Sequence, residues 1–233
     1  MPDRTPAPGG ATAVLLLLAD GRFPAGGHAH SGGAEAAVRA GRIRDQDDLA
    51  AFLTGRLHTT GLTAAALAAA ATAAATDPDP DRLDDLDRAA DARTPSPALR
   101  ATSRRLGRQL LRAARAAWPH PALDRLADRH PRGAHHPVVL GTTAHAAGLT
   151  PAQAASLAAY ESVNGPATAC VRLLGLDPYR VAAVLARLAP ELDAVTAEAV
   201  RAAEQGDLPA ASAPLLDILA EQHSTWKVRL FAS

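Results

Sequence analysis

The sequence predicts an all-α fold: a single-domain bundle of about eight to ten helices with no sheet. Three observations carry this. First, the chain has 58 alanines and 31 leucines but only 13 valines and isoleucines and seven aromatics. Alanine and leucine are strong helix formers, whereas strands draw on β-branched and aromatic residues. Second, breakers at 76–81, 93–97, 118–121, 130–137, 149–151, 163–166, 176–178 and 205–214 divide the chain into segments of helical length. Third, none of those segments alternates apolar and polar residues as a half-buried strand would. A chain of 233 residues buries about 70–75% of its unfolded surface, so its core needs neither disulfide nor metal.

In chain order, residues 1–10 are rich in proline and glycine and are expected to be disordered, leaving 11–233 as the helical domain. The apolar run Val14–Ala19 reads as a core helix; it is too short to span a membrane and lacks a basic leader. FPAGGHAHSGGAE, residues 23–35, reads as a loop feeding a helix, with Ser31 placed to cap it. Thr63–Thr76 is nearly pure alanine and predicts a helix at a tight crossing. Asp77 to Asp87 precede and open an acidic helix, as suits a positive helix N-terminus. Arg100, Arg104, Arg108 and Arg112, followed by Arg115, form a ridge: either a salt-bridged surface or a dock for an acidic partner. Val181, Val184, Leu185, Leu188 and Leu192 give one apolar helix face, which Pro190 should bend or break. Pro214 starts a last helix. The tail that follows places Trp226 and Phe231 near the chain end, where they either dock on their own domain or meet a partner.

Charge and composition exclude several functions. Twenty-four basic residues balance 24 acidic ones, unlike the basic excess of a nucleic-acid binder. Lys227 is the only lysine, so no phosphate-binding loop of the G-x-x-x-x-G-K-[ST] type exists. The lone cysteine, Cys170, permits no internal disulfide and fits a cytoplasmic protein.

The 23–35 stretch invites chemical readings. His28 and His30 could share a metal, helped by His135, His136, His145 or His223, but the spacing matches no known ligand set. Ala29-His30-Ser31-Gly32-Gly33 approaches a hydrolase nucleophile turn, which requires a strand that is missing here. The glycines do not form G-x-G-x-x-G, and no βαβ unit surrounds them. What remains is a glycine-shaped surface for a partner to read.

These residues also resemble a known family. PLLDILAEQH and RLFAS at the chain end, FPAGGHAHSGGAE, RTPSPALRATSRRLGRQLL, and residues 135–177 are collinear with motifs of the UreF urease accessory proteins over about residues 13–233. The family's F-S is His28-Ala29 here, its leucine before Glu35 is Ala34, its S-M is Ala220-Glu221, and its final motif glutamate is Ser224. The resemblance implies a non-enzymatic all-α co-chaperone that forms homodimers. It would join UreD (also called UreH) and the GTPase UreG to bring nickel to the urease apoprotein, binding no cofactor stably itself. On this resemblance the partner-binding residues are Phe23, Pro24, Gly26, Gly27, His30, Ser31 and Glu35 in the loop. In the tail, about 213–233, they are Pro214, Leu215, Leu216, Asp217, His223, Trp226, Arg229, Leu230 and Phe231. The competing readings are a nickel-transfer protein using His28 and His30, and a serine hydrolase using Ser31.

Overall fold

Prolines set the starts of the helices. In the computed structural model, which describes residues 10–233 except Pro78 and Pro80, six helices open with a proline in their first two positions. A proline costs nothing there, because the first helical N–H groups have no internal acceptor. Side-chain caps from Ser96, His120, Thr150 and Asp177 satisfy the neighbouring N–H groups. Thr150 and Gln153 form a reciprocal capping box.

The described elements are α1 (Gly10–Ala19), a 3-10 turn (Gly27–Ala29), α2 (Ala34–Arg39), α3 (Gln46–Arg56), a π turn (Leu57–Gly61), α4 (Leu62–Ala74), α5 (Asp81–Ala92), α6 (Pro97–Ala117), α7 (Pro121–Arg129), α8 (His136–Ala146), α9 (Pro151–Leu174), α10 (Pro178–Gln205) and α11 (Pro214–Ser224). The π turn joins α3 and α4 into one rod. No strand occurs among the described residues. The expected disordered segment 1–10 lies outside them, apart from Gly10, which begins α1.

The alanine helix is the axis of the molecule. α4 packs against α8, α9 and α10, and α6 covers α8 from outside. Alanine permits this only because its short side chain lets helix backbones approach closely. At the closest point, a Cβ added to Gly141 of α8 would lie 2.2 Å from the Ala68 carbonyl oxygen. Thr72 spans the same crossing, its hydroxyl lying 2.8 Å from the Ala68 carbonyl oxygen and 3.1 Å from that of Gly141.

Three local expectations are corrected. The run Val14–Ala19 forms a helix that is core on one side only: Leu18 is buried and Val14, Leu15 and Ala19 pack against the core, while Leu16 and Leu17 are 66% and 48% exposed. The breaker at 163–166 breaks nothing, since α9 continues through Pro166. Proline cannot donate to the carbonyl four residues back, Ser162, and leaves it without its helical partner. Here Arg56 Nε donates to that oxygen at 2.8 Å. α10 likewise runs through Pro190 to Gln205. The carbonyl orphaned there belongs to Ala186, on the exposed side, where water can reach it.

The acidic and basic helices neutralise each other. Buried Asp87 of α5 accepts from the His135 N–H at 2.7 Å and from Arg104 at 3.0 Å. Asp91 takes the other Arg104 nitrogen at 3.0 Å and lies 2.8 Å from His135 Nε2. Arg115 pairs with Asp124 at 2.7 Å, Arg100 donates to the Thr94 carbonyl at 2.8 Å, and Arg108 donates to the Arg132 carbonyl. Most of the arginine ridge is therefore spent within the chain.

Candidate interaction surface

The 23–35 loop and the chain end meet. Phe23 stacks on Trp118 with ring centres 5.8 Å apart, anchoring the loop start to the end of α6. Gly26 has φ +80°, and a Cβ there would strike the Gln109 side chain at 1.6 Å. Only glycine meets both demands without strain. Pro24 and Gly27 remain exposed.

Beyond the 3-10 turn the loop turns inward onto residues 230–233. The Ala232 N–H donates to the Ala29 carbonyl at 2.8 Å, and the Ser31 N–H to the Ser233 carbonyl at 2.7 Å. The Ser31 hydroxyl donates to that same carbonyl at 2.8 Å and accepts the Glu35 N–H at 3.2 Å. His30 Nδ1 lies 2.6 Å from the Ser233 hydroxyl. Glu35 holds the other half: it accepts Leu230 N–H at 2.7 Å and Phe231 N–H at 2.9 Å, and stands 3.0 Å from His223 Nε2. We call this arrangement the clamp.

The expected cap is shifted. The N-cap of α2 is Gly33, with φ +91° and no side-chain bond, while Ser31 reaches past it to the Glu35 N–H. Gly32 has φ +59°, and a Cβ there would lie 2.9 Å from Pro166 Cγ and 3.3 Å from the Arg56 guanidinium. Burial without a carboxylate partner brings Arg56 down to about 10.

The predicted partner residues therefore divide. His30, Ser31, Glu35, His223 and Phe231 are buried in the clamp, and Trp226 is half-buried beneath Arg39. Leu216 packs toward Gly33, and Asp217 accepts the Ser96 N–H at 3.2 Å. Pro214, Leu215, Arg229 and Leu230 face solvent. Arg39 and Arg172 were not foreseen. Arg39 lies 4.3 Å over the Trp226 ring and Arg172 5.0 Å over Phe231. The only sequence signal for them was a pair of tail aromatics among many arginines.

The histidines do not converge. His28 is exposed, His30 meets Ser233, His135 lies between Asp91 and Ser103, and His136 stands 3.8 Å from Glu161. Among the described residues no three metal-ligating side chains gather with coordinating geometry. The Ser31 hydroxyl is bonded to backbone atoms and has no histidine partner. No helix among the described residues is long and apolar enough to cross a membrane.

Acid should open the clamp. Burial, with help from Arg105 and His28, lowers His30 from 6.5 to about 4. Burial raises Glu35, but the donors Leu230, His223 and Phe231 outweigh it and hold the carboxyl below its ordinary value. In both cases the released form binds a proton that the clamped form refuses. The His30 contribution is complete above pH 6.5 and lost as pH falls toward 4; Glu35 adds the same sign lower down. The opening constant should rise up to about tenfold per pH unit in that window. Amide protection of Leu230 and Phe231, corrected for intrinsic exchange, reads this directly; constant protection from pH 7 to 4 would contradict it.

The UreF family model matches residues 43–189. The chain is 47% identical over 220 residues to the urease accessory protein UreF of Mycobacterium sp. strain JLS, covering 94% of this chain and 98% of that protein. It is 45% identical over 221 residues to UreF of Mycolicibacterium vanbaalenii, covering 95% of this chain and 98% of that protein. For UreF of Mycobacterium tuberculosis H37Rv the figures are 42% over 221 residues, with the same coverage.

Proposed function

The chain belongs to the UreF family of urease accessory proteins, and from that premise we propose that it is a non-enzymatic scaffold for urease maturation whose working surface is the clamp and tail. In this reading it assembles with UreD/UreH and the GTPase UreG, adjusts GTP hydrolysis by UreG, and acts in the cytoplasm as a homodimer. Nickel is cargo of the complex, bound for the urease apoprotein; this chain keeps no metal of its own.

The observation that carries the reading is the tail itself. The backbone of residues 230–233 is fixed by Glu35, Ser31 and Ala29, yet Leu230 is 54% exposed and Val228, two residues before it, 83% exposed. Apolar side chains held in water by a fixed backbone are pre-organised for association, because ordering them on binding costs little further entropy. Leu215 and Ile218 of α11 are 47% and 55% exposed and extend the apolar area.

Deleting Thr225–Ser233 tests it. The truncated chain should retain its helical content but lose co-purification with UreD/UreH and UreG, and urease activation should fall to the level seen without the scaffold. Assembly and activation at full-length levels would overturn the assignment of the tail.

A further inference from the structure

The surface around the clamp carries four cations that no acid among the described residues pairs. Lys227 on the tail, Arg39 on α2, Arg105 on α6 and Arg172 on α9 are all exposed, and none takes part in an ion pair among the described residues. All four sit around one feature. Arg39 covers Trp226, Arg172 covers Phe231, Lys227 lies between those two aromatics in sequence, and the charge of Arg105 reaches His30 in the clamp.

The segments that build this surface contain almost no acid. Residues 23–44 hold only Glu35, while 97–117, 162–176 and 222–233 hold none. Glu35 is buried and its oxygens are occupied by tail donors. On the adjoining α11, Asp217 and Glu221 are bound to Ser96 and the Ala98 N–H. Some cations elsewhere find their own acids, Arg44 with Asp48, Arg82 with Asp77, and Arg129 with Asp81 and Asp84, whereas Arg187 and Arg201 on α10 are exposed and stand clear of any aromatic ring or clamp residue. What sets the clamp surface apart is that its unpaired cations gather around exposed apolar tail side chains and two aromatic rings.

We propose that the clamp surface docks a protein partner through an acidic face, its carboxylates meeting Arg39, Arg105, Arg172 and Lys227 while its apolar side chains cover Val228 and Leu230. This rests on the scaffold reading above and specifies the partner's chemistry. Two of the cations are arginines lying over aromatic rings. Stacking uses the guanidinium face and leaves its N–H edge free, and that edge matches a carboxylate with two parallel hydrogen bonds. An anionic lipid surface is disfavoured, because membrane-surface binding uses flexible lysines and an amphipathic helix. This tail is a short non-helical segment held by backbone bonds.

The test measures affinity of the full chain for purified UreD/UreH and UreG at about 50 and about 500 mM salt. Binding should weaken about tenfold or more across that range. Lys227→Glu with Arg105→Glu should cost about a hundredfold at low salt. Neither residue makes a clamp hydrogen bond, so Leu230 and Phe231 amide protection should stay intact. Arg187→Glu with Arg201→Glu on α10 applies the same charge change elsewhere and should have little effect. Salt-independent binding, or equal losses in both double variants, overturns the proposal while leaving the scaffold reading standing. No complex with either protein overturns both. Sedimentation with phosphatidylserine vesicles that the first double variant abolishes would assign the surface to lipid instead and overturn it.

Discussion

Replacing Glu35 with alanine is expected to free residues 225–233 while the helical body stays folded. Three donors converge on this one side chain: the N–H groups of Leu230 and Phe231 and Nε2 of His223. Two belong to adjacent backbone positions, so no rotamer change can redirect them. A buried donor left without an acceptor costs about 1–3 kcal/mol, and three exceed what burial of Phe231, at about 2–3 kcal/mol, can offset. The tail avoids the penalty by leaving for water. The loss is therefore local, and the thermal midpoint of the body should shift by no more than a few degrees.

Trypsin reads the release, because Lys227 and Arg229 are its cleavage sites in the tail. Cleavage there should accelerate by about a hundredfold in the variant, matching a loss of about 3 kcal/mol in clamp stability. Glu35→Gln keeps one oxygen acceptor but turns an amide NH₂ toward the remaining donors, so it should fall between wild type and alanine. Unchanged cleavage in Glu35→Ala would show that the clamp does not hold the tail. Assembly with UreD/UreH and UreG should follow the release, since the same tail side chains then lose their fixed positions.

That role for Glu35 could not be read along the chain. The glycine-rich loop was legible as a shaped surface, and the tail as a place where aromatics should not stay wet. Whether the tail docked at home or on a partner was open, because the bonds that decide it join residues 188 to 203 positions apart. The structure shows docking at home: the loop is read by the chain's own end, while the Leu230 and Arg229 side chains remain outside. Pro166 teaches the same lesson. Proline chemistry predicts a break, and only the fold reveals that Arg56, 106 positions from Ser162, supplies the missing donor. In α1 Leu15 and Leu18 face the core while Leu16 and Leu17 do not, because hydrophobicity alone does not say how much of a helix its neighbours will cover. By contrast the helix starts, the acidic helix and the tight alanine helix followed from local rules, because caps, propensity and small side chains act over a few residues.

The alanine helix yields the largest expected stability effect. Gly141→Ala adds one methyl group where α8 crosses α4, yet it should destabilise the protein by more than about 3 kcal/mol. The new Cβ would meet the Ala68 carbonyl oxygen at 2.2 Å and the Ala71 Cβ at 2.7 Å. Neither neighbour has a rotamer to change, so the helices themselves must part. Parting them pulls the Gly141 carbonyl from the Thr72 hydroxyl and opens space along a layer of alanines too short to refill it. Gly165→Ala in α9 is the matched control, because a Cβ there meets nothing within 4 Å. In a helix interior that change should stabilise by about 0.5–1 kcal/mol. Urea denaturation of the two variants should thus give opposite signs for the same substitution; a Gly141→Ala midpoint close to wild type would mean that the crossing is looser than described. Ala71→Gly should rescue only part of the loss, because the closer clash is with backbone. The effect should also reach the clamp: α9, which carries Arg172 over Phe231 and Pro166 beside Gly32, packs directly against both α4 and α8.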